Sequence, residues 1–115
     1  MIFISDINDM KRFLLKKLKR KHAFWSYDAS KINYKNIPDE ILIAKTLFHL
    51  DMEDINLLFC YYKADFIKKA WREELAPQGD YMRNLNKFIA WYYFGIKNPN
   101  KYLKTIETKF INRYD

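Results

Sequence analysis

The sequence predicts an all-α fold. Apolar residues recur three and four positions apart through most of the chain. Glycine and proline interrupt that pattern in few places: Pro38, Pro77 with Gly79, and Gly95 with Pro99. Acidic residues collect where helices would begin, and lysines crowd the end of the first. No strand alternation, internal repeat or low-complexity segment interrupts this reading. A length of 115 residues fits one domain with a real core. The expectation is a single helical domain over residues 1–115. It would have five to six helices and a long aromatic-containing loop after the first.

The first helix is expected from about Asp6 to Lys21, with Ser5 as N-cap and Asp6 and Asp9 in the first turn. Ile7, Met10, Leu14 and Leu18 form its stripe. Residues 22–36 show no clean period and carry Phe24, Trp25 and Tyr27. A connection this long is either functional or pinned by its own side chains. Pro38 reads as the first residue of a second helix, with Ile41, Ala44, Leu47 and Phe48 inward. Asp51 caps a third, whose stripe is Ile55, Leu58, Phe59 and Tyr62. A break at 63–65 leads to a fourth through Phe66, Ile67, Ala70, Trp71 and Leu75. Pro77, Gly79 and Asp80 make a turn, with Asp80 capping a fifth helix. Leu85, Phe88, Ile89, Tyr92 and Tyr93 run through that helix, with Trp91 on a neighbouring face. Gly95 ends it. Asn98 and Pro99 open a sixth with Tyr102, Leu103, Ile106 and Phe110 inward.

The chain carries 21 Lys and Arg against 14 Asp and Glu, a formal net charge of +7. The charge is segregated: residues 1–35 hold +6, residues 36–80 hold −4 and residues 81–115 hold +5. Two basic ends folded to one side would make a patch for phosphates or for an acidic partner. Sixteen of the basic residues are Lys, in a chain with no valine and abundant Ile, Asn and Tyr. A/T-rich codons account for part of that pattern. Lys also lacks the planar fork that makes Arg the better phosphate ligand.

Chemistry has little support. Cys60 is the only cysteine and sits beside the third helix's inner stripe, so it reads as a small core residue. Two histidines, His22 and His49, are too few for most transition-metal sites, so no metal is expected. The carboxylate pairs Asp39–Glu40 and Glu73–Glu74 are sequence neighbours, which point apart on a helix. The two glycines are too far apart for a phosphate loop, and no cofactor is expected. The N-terminal stretch does not have signal-peptide order and no apolar run could span a bilayer, so a cytoplasmic setting is expected.

Two binding readings remain. The third and fourth helices have helix-turn-helix proportions, with Lys68, Lys69 and Arg72 on the second. Asp65, Glu73 and Glu74 on the same helix weigh against a role in the major groove. The other reading is a protein interface. Trp25 and Tyr27 would be its anchors beside the basic run Lys16, Lys17, Lys19, Arg20 and Lys21, with Gln78, Asp80 and Arg83 adding polar contacts.

Phe24-Trp25-Ser26-Tyr27 and Ile37-Pro38-Asp39-Glu40-Ile41-Leu42-Ile43 resemble a family of small uncharacterised bacterial proteins, commonest in the Bacteroides group. So do the stretch from Trp71 through Pro77-Gln78-Gly79-Asp80 and the stretch from Leu85-Asn86-Lys87 to Asn98-Pro99. The resemblance covers roughly residues 22–104. Members are often encoded beside abortive-infection-type nucleotidyltransferase toxins. The resemblance implies an antitoxin-like protein that neutralises such a partner. It implies no catalytic residues.

Overall fold

The computed structural model describes residues 4–24 and 29–114, with the side chains of Asp80 and of residues 110–114 left aside. Its secondary structure is helical throughout the described residues: six α-helices and two 3-10 segments, with no strand. They are α1 (Ile7–Arg20), α2 (Asp39–His49), α3 (Met52–Tyr61), α4 (Ala64–Glu74), α5 (Arg83–Tyr92) and α6 (Pro99–Tyr114). The chain divides into two compact units, Met1–Ile67 and Lys68–Asp115.

In the first unit α1 packs against α2 and α3. Asp6, not Ser5, is the N-cap of α1: its carboxylate accepts the Asp9 N–H at 2.9 Å. Ser5 donates its hydroxyl to Asp9 at 2.6 Å. Ser5 and Asp6 thus form a reciprocal clasp with Asp9, and those hydrogen bonds from Ser5 hold the Asp9 carboxyl below its ordinary range. Met10, Leu14, Leu15 and Leu18 are the buried stripe, while Ile7 is exposed. His22 adopts a left-handed φ of 57° where the helix closes. Ala23 and Phe24 are buried beyond it, and the connection to α2 contains a 3-10 turn at Ala29–Lys31. Trp25 and Tyr27 lie outside the described residues.

Pro38 precedes α2 as its cap with ψ 140°, so the helix begins one residue later than expected. The inner face of α2 is Leu42, Ile43, Thr46 and Leu47, and Phe48 faces solvent. In α3 the buried residues are Asp54, Ile55 and Leu58. Tyr62 lies just past the helix end, and Cys60 is exposed instead of belonging to the core. Asp51 occupies the cap position of α3 without a capping hydrogen bond from its side chain.

The second unit packs α5 and α6 against each other and against the 3-10 segment Ala76–Met82. Gly79 interrupts that segment at φ 77°, which glycine adopts without strain. The extra turn places the cap of α5 at Met82 and not at Asp80. Gly95 takes φ +64° and ends α5 as expected. Its N–H bonds the Trp91 carbonyl at 3.2 Å, and the Ile96 N–H reaches back to Ala90 at 3.0 Å.

The core of this unit is built on Trp71, which is fully buried. Its ring lies 5.2 Å from Phe94 and 6.0 Å from Tyr102. Its indole N–H donates to Asn86 Oδ1 at 3.0 Å, and Asn86 Nδ2 donates to the Leu75 carbonyl at 2.9 Å. Asn86 is 1% exposed. It is the polar pin between α4 and α5.

Candidate interaction surface

Two residues of the N-terminal basic run, Lys17 and Lys19, have structural partners. Lys17 pairs with Asp54 at 2.8 Å, and the Asp54 side chain is only 5% exposed. Lys19 donates to the Ile32 carbonyl. Lys16, Arg20 and Lys21 are exposed. Lys17, Arg20 and Lys21 line a pocket of about 250 Å³ together with Leu50, Asp51 and Asp54. Its three cations face two carboxylates, so it presents no concentrated positive field. Burial, then Lys45 and Lys21, lower the pKa of nearby His49.

Asp39 is a carboxylate that ties separate elements of the first unit together. Lys11 lies 2.9 Å from its Oδ1, and the Tyr62 hydroxyl donates to the same oxygen at 2.6 Å. Burial opposes ionisation of Asp39, but these hydrogen bonds and the Lys11 charge hold its pKa below the usual carboxylate value. Burial first, and the Asp39 carboxylate second, push the Tyr62 phenol well above its ordinary range. Tyr62 therefore keeps its proton at neutral pH, and the cluster reads as a fastening between α2 and the end of α3. Among the described residues no group of His, Cys, Asp and Glu converges as a metal site.

The remaining predicted residues lie in the second unit and have local tasks. Gln78 is exposed and donates to the Glu74 carbonyl at 3.0 Å, closing the end of α4. Arg83 pairs with Glu107 at 2.7 Å, tying α5 to α6. The backbone of Asp80 lies in the 3-10 segment, and its side chain is outside the described set. The helix-turn-helix candidate fares no better as a groove reader. Ile67, Ala70 and Trp71 of α4 are buried, and the Lys68 ammonium sits 5.8 Å over the Tyr102 ring. The exposed residues Asp65, Lys69, Arg72 and Glu73 cancel in charge.

The most conspicuous exposed surface includes Phe88 and Tyr92, which sequence reasoning placed on the stripe of the fifth helix, and Trp91, which it placed on a neighbouring face. Phe88 is 41%, Tyr92 51% and Trp91 61% exposed along α5, and Tyr81 just before the helix is 86% exposed. The Phe88 and Tyr92 rings stack at 5.2 Å, and Trp91 lies 6.2 Å from Tyr92. The buried side of α5 is Asn86, Ile89 and Ala90. The helix is thus rotated from the expected orientation, because an asparagine occupies the inward position. Counting Asn86 as inward, one turn before Ala90, leaves Phe88, Trp91 and Tyr92 outside.

No family model, curated protein or solved structure matches this chain. None of the described helices is long and apolar enough to cross a membrane.

Proposed function

We propose that this chain is a non-enzymatic interaction protein whose docking surface is the aromatic face of α5. The observation that carries the reading is the contiguous exposure of Phe88, Trp91 and Tyr92. Single exposed apolar residues are ordinary, but a cluster of large aromatics on one helix face costs solubility and marks interaction sites. Trp and Tyr are enriched among the residues that dominate binding energy. The helix has no acidic residue in its first turn, and Lys87 directly precedes Phe88 in the sequence, while Arg83 is paired with Glu107. This composition suits an acidic protein surface.

The partner we propose is a nucleotidyltransferase-type toxin, with this chain as its antitoxin-like counterpart in the cytoplasm. Resemblance to the Bacteroides-group family supports that identity, and the exposed aromatic face supplies a surface able to occlude a partner's site. Lys16, Arg20 and Lys21 would contribute to encounter rate through their exposed charge. The test is co-expression with the product of the adjacent gene, followed by size-exclusion chromatography. Co-elution that Phe88→Ala/Trp91→Ala abolishes is the expected result. Co-elution unchanged by those substitutions would refute the α5 surface. Absence of any complex at micromolar concentration would refute the toxin partner.

A further inference from the structure

Part of the net charge of +7 is held in accessible form on α6, at lysines the sequence reading did not name. In the first unit Lys11, Arg12, Lys17 and Lys19 are engaged by Asp39, Asp9, Asp54 and the Ile32 carbonyl. On α6 the arrangement is different. Lys101, Lys104 and Lys109 are exposed, and among the described residues none of them makes an ion pair. They line an open groove of about 670 Å³ with Asn98, Asn100 and Thr108. Lys101 and Lys104 are three residues apart and therefore neighbours on the helix surface. Lys101 and Lys109 are separated by about 12 Å along the axis. The one described carboxylate of α6, Glu107, is turned to Arg83. Among the described residues that line the groove, every formal charge is positive.

We infer that this outer face of α6 docks the phosphate backbone of a nucleic acid without reading its sequence. This goes beyond the protein-docking reading, which uses a different helix. The chemistry of the face discriminates among polyanions. Lys, Asn and Thr are among the side chains that hydrogen-bond phosphate oxygens in nucleic-acid complexes. Asn98 already caps α6 by accepting the Lys101 N–H at 3.2 Å, which leaves its amide N–H groups to donate. Thr105 spends its hydroxyl proton on the Lys101 carbonyl, so Thr108 is the hydroxyl donor of the face. An acidic protein would need an apolar centre to anchor it, and among the described residues no large apolar side chain lines this groove. A membrane surface would need the apolar side of α6 to be available. Of the described apolar residues on that side, Leu103 is buried and Tyr102 stacks on Trp71.

The test is fluorescence anisotropy of the full chain with labelled oligothymidine and with a labelled mixed-sequence duplex. Three lysines neutralising one phosphate each predict a log–log salt slope of about −2.7 on duplex and about −2.1 on single strands. On duplex this is about a 40-fold loss of affinity between about 50 and 200 mM salt. Lys101→Glu/Lys104→Glu should weaken binding about tenfold or more at low salt with an unchanged circular dichroism spectrum. Lys16→Glu/Arg20→Glu should change it far less. If the reversed-charge variant loses helicity, Lys101→Gln/Lys104→Gln serves in its place. Tighter binding to strand or duplex identifies which form is held, and either supports the inference. Three results would each overturn it: no binding at low salt, equal losses in the two double variants, or polyglutamate competing as well as oligothymidine at matched charge.

Discussion

Replacing Asn86 by alanine should destabilise the protein more than any other single polar change in the second unit. The side chain satisfies two buried groups at once, the Trp71 indole N–H at 3.0 Å and the Leu75 carbonyl at 2.9 Å. Asn86→Ala leaves the Trp71 indole N–H without its acceptor, while the Leu75 carbonyl keeps the Gln78 N–H at 3.1 Å. A buried donor left unsatisfied costs about 1–3 kcal/mol, and a loss in that range is expected. That is a large fraction of the roughly 5–15 kcal/mol typical of a small domain. Asn86→Leu should not rescue it, because filling the volume still leaves the Trp71 N–H unpaired. Trp71→Phe removes the donor, so in its background Asn86→Ala should cost about 1 kcal/mol less. The assay is urea denaturation followed by far-UV circular dichroism, comparing midpoints at constant m. A cost for Asn86→Ala below about 1 kcal/mol, or strict additivity with Trp71→Phe, would refute the assignment of Asn86 as the pin between α4 and α5.

Other outcomes follow from single contacts. Lys17→Met leaves the buried Asp54 carboxylate without its cation and should cost about 1–3 kcal/mol, with much of the loss recovered in Lys17→Met/Asp54→Leu; thermal denaturation measures both. Asp39 has a folded pKa below its unfolded value of about 3.9, so its stabilisation is present above that pH and is lost as acid protonates it. The urea midpoints of the native chain and Asp39→Asn should therefore converge as pH is lowered toward 3 and separate again at neutral pH. Gly95→Ala meets no atom within 4 Å, so its cost is backbone strain alone, about 1 kcal/mol by chemical denaturation. Cys60 is exposed, so its thiol should react with Ellman's reagent in the native state nearly as fast as in urea; slow reaction would place it in the core.

The helices were legible because their signals are local. Gly95 was identified as a terminator from its type and position, and it takes the left-handed φ that role requires. Caps were placed to within one or two residues, and the errors have causes. Asp6 displaced Ser5 because a carboxylate one position later could reach the Asp9 N–H. Met82 displaced Asp80 because a 3-10 turn intervenes. Orientation was less legible than helicity. Hydrophobicity alone turned Phe88 and Tyr92 of α5 inward, along with Leu85 and Ile89. What decides α5 is a hydrogen bond from a residue ten or more positions away, and residue type does not encode that. The same is true of the basic cluster. Composition shows that Lys17 and Lys19 are charged, while only packing shows that Asp54 and the Ile32 carbonyl already hold them.

The contrast between Trp71 and Trp91 has a practical consequence. An indole sealed among aromatic rings emits at shorter wavelength than one in water, and these two stand at the opposite ends of that range. With Trp25 replaced by Phe, the blue component of the emission would report the integrity of the second unit. The red component would report events at the α5 surface. Quenching by a soluble collider such as iodide would reach Trp91 and spare Trp71. The chain thus contains two built-in optical probes, and loss of a ligand can be told apart from loss of the fold in one cuvette.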